Sequence, residues 1–152
     1  HLGAQVTGVD SARKLDLLRS LGVEQVIDYT REDFTKSGKT YDVIFDVVGK
    51  SSFSGSIRSL NQNGRYLLVN PGLSQMARAR WTPKSKQVIM GAADHKREDL
   101  LFLKALIEAG KIKSVIDRSY PLEQMAEAHR YVETGQKTGN VVITLHNPPA
   151  RV

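Results

Sequence analysis

An acidic residue at the junction of a strand and a helix is the first feature of this sequence that could do chemistry. Residues 6–9 are rich in β-forming side chains and lead into Asp10, and Ser11 is a good N-cap for the helical segment that follows. In a nucleotide-binding βαβ unit, a carboxylate here accepts hydrogen bonds from a ribose diol, whereas a nearby basic residue holds a 2′-phosphate. The segment offers both chemistries, because Asp10 suits the diol while Arg13 and Lys14 suit a phosphate. A strand, an aspartate and a helix also begin many units that bind no nucleotide, so the motif alone leaves that alternative open.

The composition is that of an ordinary globular protein. The chain has 152 residues, of which 40% are hydrophobic and 25% are charged, and this length is enough for a sizeable core. No apolar run approaches the roughly 20 residues of a membrane span, and no stretch resembles a signal peptide. Because the sequence has no cysteine, it forms neither a disulfide nor a thiolate metal site, which fits a cytoplasmic protein. We expect no membrane partner.

Positive charge is densest around the single tryptophan, Trp81. Its basic neighbours are Arg78, Arg80, Lys84 and Lys86, in a chain whose net charge is +6. A nucleic-acid groove could have this composition, but a solvated loop is the favoured interpretation because the chain has so few aromatic residues. We therefore expect no nucleic-acid partner.

Strand-like and helix-like segments alternate along the chain. The predicted strands are residues 6–9, 25–29, 41–48, 65–70, 87–90, 114–120 and 140–145. The predicted helices are residues 12–21, 52–60, 98–109 and 122–134, and residues 73–86 show no clean period. Residues 61–64 are predicted to be a turn that closes the second helix. The alternation predicts an α/β fold with a doubly wound parallel sheet.

In this order, the segments resemble the C-terminal half of a medium-chain dehydrogenase/reductase, on the branch of quinone-oxidoreductase-like and zinc-type alcohol dehydrogenase proteins. The stretches that carry the resemblance are VTGVDS at 6–11, LRSLG at 18–22, VIDY at 26–29, FDVVG at 45–49, IDRSYPL at 116–122, AEAHRYVETG at 126–135 and GNVVI at 139–143. The resemblance covers residues 1 to about 145. It implies a Rossmann-type sheet that lacks its first strand and glycine-rich turn, because only nine residues precede Asp10.

The resemblance also implies a division of the chain. Residues 1–111 correspond to a partial NAD(P)-binding Rossmann domain, residues 112–145 to a C-terminal segment that returns to an absent catalytic domain, and residues 146–152 to a tail. The implied activity is hydride transfer between a nicotinamide cofactor and a carbonyl, an activated alkene or a quinone. In the family, the catalytic residues lie upstream, so this segment alone is expected to be inactive. The expected partners are a nicotinamide dinucleotide, a small-molecule substrate and further copies of the chain, and nothing in the segment indicates zinc.

The resemblance assigns cofactor roles to five residues near the first helix. In NADPH-using relatives, a lysine early in this helix and a tyrosine ending the next strand hold the 2′-phosphate, and Lys14 and Tyr29 occupy those positions with Ser11 and Arg13 beside them. A lysine supplies charge and a tyrosine supplies a hydroxyl donor, which together suit a phosphate. Asp10 departs from the NADPH pattern and would repel the phosphate. Two cations against one carboxylate favour NADP(H), with NAD(H) as the alternative.

Three further residues are expected at the cofactor site. Gly49 follows a strand and permits close approach of the cofactor or of backbone, as a larger residue would not. Val69 and Asn70 end the next strand, outside the carboxyl ends of the sheet, where such folds place the nicotinamide.

Two alternatives to an oxidoreductase stay open on the sequence. The segment from Val6 to Ser11 also fits the second strand of an S-adenosylmethionine-dependent methyltransferase, whose aspartate holds a ribose, and residues 64–69 fit its fifth strand. A non-catalytic domain that senses a nucleotide is the other alternative.

The missing strand has a structural consequence. The family's strand order, 3-2-1-4-5-6, places it between residues 6–9 and 41–48. We therefore expect these two strands either to pair directly or to receive a strand from another copy, because open edges invite pairing.

Overall fold

Strands and helices alternate throughout the part of the chain that the structure, a computed structural model, describes: residues 2–69, 71–91 and 96–145. The strands are β1 (Thr7–Asp10), β2 (Gln25–Asp28), β3 (Tyr41–Asp46), β4 (Leu60–Leu68), β5 (Gln87–Met90), β6 (Ile116–Pro121) and β7 (Asn140–Thr144). The helices are α1 (Ala12–Ser20), α2 (Phe53–Arg58), α3 (Leu73–Ala79), α4 (Arg97–Glu108) and α5 (Met125–Glu133), with short 3₁₀ turns at Phe34–Lys36 and Leu122–Gln124. The predicted α/β class is confirmed.

The strands form parallel sheets. β1 pairs with β2, β3 and β5 flank β4, and β6 pairs with β7. Parallel pairing between strands joined by helices is the doubly wound pattern that the sequence predicts. Within the described ranges, β1 and β3 do not pair with each other, so the first of the two expected arrangements of these strands is not formed.

The described residues form two compact units, one made of those within Gln5–His95 and the other of those within Lys96–Val152 and His1–Ala4. The first unit contains β1 to β5, and every described residue predicted to bind cofactor lies in it. The second contains α4, β6, α5 and β7, where Tyr120 and Ala128 are buried. The domain division at residue 111 stays a prediction.

The core of the first unit lies between α2 and the three-stranded sheet. Its buried side chains are Ile44, Phe53, Ile57, Leu60, Tyr66 and Leu68. The ring centroids of Phe53 and Tyr66 lie 5.6 Å apart, which joins the first turn of α2 to the C-terminal part of β4. The core therefore fixes the carboxyl ends of β3 and β4, where two of the predicted site residues follow.

Gly8 allows α1 to lie directly on β1. A Cβ atom at this position would come within 2.9 Å of Leu18 Cδ1 and 3.3 Å of Val23 Cγ1. A larger residue at position 8 would therefore require the side chains of Leu18 and Val23 to shift. The glycine thus permits the close packing of these side chains against β1.

One local prediction is wrong, and one helix was not predicted. Residues 61–64 do not close a helix as a free turn but lie inside β4, because Leu60 pairs with Tyr41 while Arg65 already pairs with Val43. The extra residues form an irregularity in which Asn63 takes a φ of 63°, a conformation that asparagine tolerates. The α3 helix, in a stretch without a clean period, also went unpredicted.

Candidate functional site

The carboxyl ends of β1 and β2 bring Asp10, Ser11, Lys14 and Tyr29 together, and we call this set the β1–β2 edge. Asp10 Oδ1 accepts a hydrogen bond of 2.7 Å from the Ser11 N–H, and Asp10 Oδ2 lies 3.9 Å from Lys14 Nζ. The Tyr29 N–H donates to the Asp10 carbonyl at 3.2 Å, which fixes the end of β2 beside the end of β1. The structure thus brings together four residues that the sequence analysis had selected.

The side chains of the β1–β2 edge remain accessible. Tyr29 is 62% exposed, and the side chains of Lys14 and Asp10 are 26% and 34% exposed. Arg13 is exposed on the first turn of α1. The edge therefore presents a carboxylate, an ammonium and a phenol to a ligand.

Asp28 is a second carboxylate at this edge that sequence reasoning missed. It lies directly opposite Asp10 in the pairing of β1 with β2. Hydrogen bonds from the side chain and N–H of Thr30 hold the pKa of Asp28 below its ordinary value, and Arg31 Nε lies 3.7 Å from its carboxylate. Arg31 and Asp28 add one positive and one negative charge to the edge. The net charge of the edge, which the sequence analysis took from Asp10, Arg13 and Lys14, is therefore unchanged.

The carboxyl ends of β3 and β4 meet around Asp46, and we call Asp46, Gly49, Ser51, Tyr66 and Val69 the β3–β4 edge. Asp46 Oδ1 accepts the Gly49 N–H at 2.6 Å, and Asp46 Oδ2 accepts the hydroxyls of Ser51 and, at 3.0 Å, Tyr66. The Val69 N–H donates to the Asp46 carbonyl at 3.2 Å. Two of the predicted site residues, Gly49 and Val69, are thus both hydrogen-bonded to Asp46.

Asp46 is held in its charged form by this network. Burial alone would raise the pKa of the Asp46 carboxyl, but hydrogen bonds from Ser51, the Gly49 N–H and Tyr66 outweigh it and lower the pKa below 3.8. The Tyr66 side chain is fully buried, and burial raises the pKa of its phenol. A charged acceptor therefore fixes the loop that begins after β3.

Gly49 also has a conformational role. The sequence predicted only that a glycine here permits close approach of the cofactor or of backbone. Its φ is 73°, in the left-handed region that favours glycine. Next to it, Val47 and Val48 are 51% and 69% exposed. The loop after β3 therefore presents an apolar surface at the edge of the sheet, and this surface was missed from the sequence.

Gln75 bridges the loops that follow β3 and β4. Its Oε1 accepts the Gly72 N–H at 2.8 Å, and its Nε2 donates to the Gly49 carbonyl at 3.3 Å. One amide therefore links the loop after β3 to the first turn of α3. Asn70, the remaining predicted site residue, lies outside the described residues.

These two edges fit the parts of a nicotinamide dinucleotide. At the β1–β2 edge, Asp10 can accept hydrogen bonds from a ribose diol, and Lys14 with Tyr29 can donate to a phosphate. At the β3–β4 edge, the exposed valines beside Gly49 offer an apolar surface of the kind that a planar ring requires. Across the described ranges, no group of three or more His, Cys, Asp or Glu side chains could hold a metal ion, and no helix has the length and apolar character needed to cross a membrane.

A family comparison identifies the chain. The sequence profile of the family described as zinc-binding dehydrogenase matches residues 21–143. The chain belongs to this zinc-binding dehydrogenase family. The predicted resemblance to medium-chain dehydrogenases/reductases of the quinone-oxidoreductase-like and alcohol-dehydrogenase-like branch is thereby confirmed.

Individual relatives agree with this assignment. The chain is 31% identical over 147 residues to the chloroplast envelope quinone oxidoreductase homolog of Arabidopsis thaliana, which covers 92% of the chain and 45% of that protein. It is 30% identical over 142 residues to the NADPH-dependent alkenal/one oxidoreductase of the same plant, which covers 92% of the chain and 33% of that protein. The chain therefore spans less than half the length of these two relatives.

A solved structure has the same fold. The quinone oxidoreductase from Coxiella burnetii superimposes with a TM-score of 0.80 at 28% identity, over 95% of this chain and 46% of the other. This match supports a Rossmann-like cofactor-binding fold of the medium-chain type. The methyltransferase alternative gains no support from these relatives, whose names all describe oxidoreductases.

Proposed function

We propose that this chain is the cofactor-binding part of an NAD(P)H-dependent oxidoreductase that transfers a hydride to or from a carbonyl, an activated alkene or a quinone. The names of its relatives, which include a quinone oxidoreductase homolog and an NADPH-dependent alkenal/one oxidoreductase, support this class of reaction. When bound, the nicotinamide supplies the hydride chemistry, and the protein binds and orients it. The catalytic residues are not assigned to this chain.

The observation that carries the proposal is the juxtaposition of Asp10, Lys14 and Tyr29. The hydrogen bond from the Tyr29 N–H to the Asp10 carbonyl supports this proposal, because it holds the backbone of Tyr29 beside the end of β1, and the Tyr29 side chain is exposed there. An ammonium and a hydroxyl donor together suit a phosphate dianion. The Lys14 ammonium also lies 3.9 Å from Asp10, so that it offsets the carboxylate that would otherwise repel a phosphate.

We therefore favour NADP(H) over NAD(H). With NADP(H), Lys14 and Tyr29 would bind the 2′-phosphate with Ser11 and Arg13 nearby. With NAD(H), Asp10 would accept the ribose diol instead, and the lysine would add little. The difference in affinity between the two cofactors therefore depends mainly on Lys14.

At the other edge, Gly49 and Val69 would border the nicotinamide. The hydrogen bonds from Gly49 and Val69 to Asp46 hold both residues in place without any contribution from the ligand. The exposed side chains of Val47 and Val48 would then exclude water from one side of the ring. Asn70 keeps its predicted role at this position.

Ligand-detected NMR on the chain tests the proposal directly. NADPH, NADH and S-adenosylmethionine are each titrated at millimolar concentration, since the sequence has no glycine-rich turn to hold the pyrophosphate and affinity should be low. We expect NADPH to bind more tightly than NADH, and Lys14→Ala to remove the difference. Arg19→Ala is the matched control, because Arg19 is a cation on the same helix that pairs with Asp16 instead.

Two outcomes would contradict the proposal. Binding of S-adenosylmethionine without either nicotinamide dinucleotide would favour the methyltransferase alternative. Equal loss of NADPH and NADH in Lys14→Ala would mean that the lysine does not contact the 2′-phosphate. A cytoplasmic location and a homo-oligomeric state stay predictions from the sequence.

A further inference from the structure

A groove between α2 and the turn that follows α3 is not used by the proposed cofactor site. It is lined by Phe53, Ile57, Arg58, Arg78, Trp81 and Thr82 and has a volume of about 300 Å³, at the lower limit for small-molecule pockets. We call it the Trp81 groove. It extends to Arg58 at the end of α2, about 9 Å along the helix from the loop that contains Gly49.

The Trp81 groove lies in a segment whose charged residues are all basic. Between residues 47 and 93 the sequence has seven Lys or Arg and no Asp or Glu. Since the whole chain has a net charge of +6, this segment accounts for all of its positive excess. Of the basic residues, Arg58 and Arg78 line the groove, and neither forms an ion pair within the described residues. The guanidinium groups of Arg58 and Arg78 therefore favour a negatively charged ligand in the groove.

Two further features of the groove suggest a ligand. The Trp81 side chain is 81% exposed, although tryptophan is an apolar residue that is usually mostly buried. The hydroxyl of Thr82 is buried and has no hydrogen-bond partner. A buried hydroxyl without a partner is unfavourable, so its presence needs an explanation.

We propose that the Trp81 groove binds a small planar aromatic carboxylate. The guanidinium groups of Arg58 and Arg78 bind the carboxylate, since guanidinium matches the geometry of that group. The aromatic ring of the ligand stacks on the indole of Trp81. The Thr82 side chain rotates on binding, so that its hydroxyl, which is buried and without a partner in the free chain, forms a hydrogen bond with the ligand. This proposal does not depend on the proposed oxidoreductase function.

The single tryptophan makes the groove directly observable. The chain has one Trp, so intrinsic tryptophan fluorescence reports only on this site. We suggest titration with benzoate and with benzamide, a neutral molecule of nearly the same shape, with excitation at the red edge of the indole absorption. We expect saturable quenching by benzoate and at least tenfold weaker binding of benzamide.

Three substitutions test the assigned contacts. Arg58→Gln and Arg78→Gln should each weaken benzoate binding roughly tenfold, because each removes a charge-assisted hydrogen bond. Arg65→Gln is the matched control, since Arg65 is an exposed cation on β4 that does not line the groove. Thr82→Val should weaken binding without lowering the unfolding midpoint, whereas a purely structural hydroxyl would show the opposite. Circular dichroism establishes that each variant is folded.

Four outcomes would overturn the proposal. Equal affinity for benzoate and benzamide would exclude recognition of the charge. An equal effect of Arg65→Gln and Arg58→Gln would indicate general electrostatic attraction. Binding of a single-stranded oligonucleotide with steep salt dependence, but not of benzoate, would make the segment a nucleic-acid surface. A shift in Trp81 fluorescence that depends on protein concentration, without benzoate binding, would mean that a second copy covers the groove.

Discussion

Removal of the Tyr66 hydroxyl should destabilise the first unit. This hydroxyl lies on a side chain with no exposed surface, donates to Asp46 Oδ2 at 3.0 Å and lies 2.9 Å from Ser51 Oγ. In Tyr66→Phe the ring keeps its packing against Phe53 while the hydrogen bond to the carboxylate is lost. A hydrogen bond to a charged group contributes about 1.5–3 kcal/mol, so we expect the free energy of unfolding to fall by about 2 kcal/mol.

Urea denaturation followed by Trp81 fluorescence reports on unfolding of the first compact unit, because Trp81 lies within Gln5–His95. With a denaturant slope of roughly 2 kcal/mol per molar urea, the midpoint should fall by about 1 M. Tyr29→Phe is the matched control: it removes the same atom from a side chain that is 62% exposed, and it should change the free energy by less than about 0.5 kcal/mol. Equal midpoints for the two variants would refute the assignment of a stabilising role to the buried network.

The effect of Tyr66→Phe should depend on pH. The pKa of Asp46 in the folded protein lies below 3.8, so the ionised carboxylate stabilises the fold above the ordinary Asp pKa. This contribution is lost as the pH falls through the lowered pKa. The difference in stability between the wild type and Tyr66→Phe should therefore be constant near neutral pH and shrink below pH 3.8. A difference that stays constant into this acidic range would mean that the Asp46 charge is not involved.

Four further predictions follow from the site and the second unit. In a full-length oxidoreductase containing this segment, Lys14→Ala should raise the KM for NADPH tenfold or more and leave that for NADH nearly unchanged, because about 1.5–3 kcal/mol of contact is lost; equal changes would count against a 2′-phosphate contact. The 152-residue chain alone should show no NADPH oxidation, since its sequence has no G-x-G-x-x-G turn, and measurable turnover would contradict this. Gly49→Ala should lower the free energy of unfolding by about 1–2 kcal/mol because the φ of 73° strains an L-residue, whereas an unchanged urea midpoint would argue against strain. Asp117→Asn should lower the thermal midpoint of the second unit, as Asp117 accepts hydrogen bonds of 2.7 Å from Tyr131 and 2.9 Å from the Thr138 N–H; an unchanged midpoint would show that these bonds add nothing.

The sequence predicted elements whose patterning is local. β5 was predicted with its observed bounds, and α1 and α4 were predicted to within a residue or so, since their apolar spacing and stop signals are clear. The α3 helix was missed because its apolar residues do not mark a buried face: Leu73 is 88% exposed and Met76 is 50% exposed. The start of β4 was missed because Asn63 and its neighbours have the composition of a turn, although the strand continues through them.

The site shows the same limit. The β1–β2 edge was predictable because Asp10, Ser11 and Lys14 are close in sequence, and Tyr29 ends the strand that pairs with β1. The network around Asp46 was not predictable, because its members are brought together by hydrogen bonds between residues up to 23 positions apart. The only signal in the sequence was one carboxylate, Asp46, in the otherwise apolar run of residues 43–48.

The amide of Gln75 has a consequence for cooperativity. Because it binds both Gly49 and Gly72, a ligand that immobilises the loop after β3 also restricts the first turn of α3. This helix ends at Ala79, two residues before Trp81. If nicotinamide at the β3–β4 edge rigidifies α3, a carboxylate that then binds in the Trp81 groove causes a smaller loss of conformational entropy. By linkage, the carboxylate must favour nicotinamide binding to the same degree.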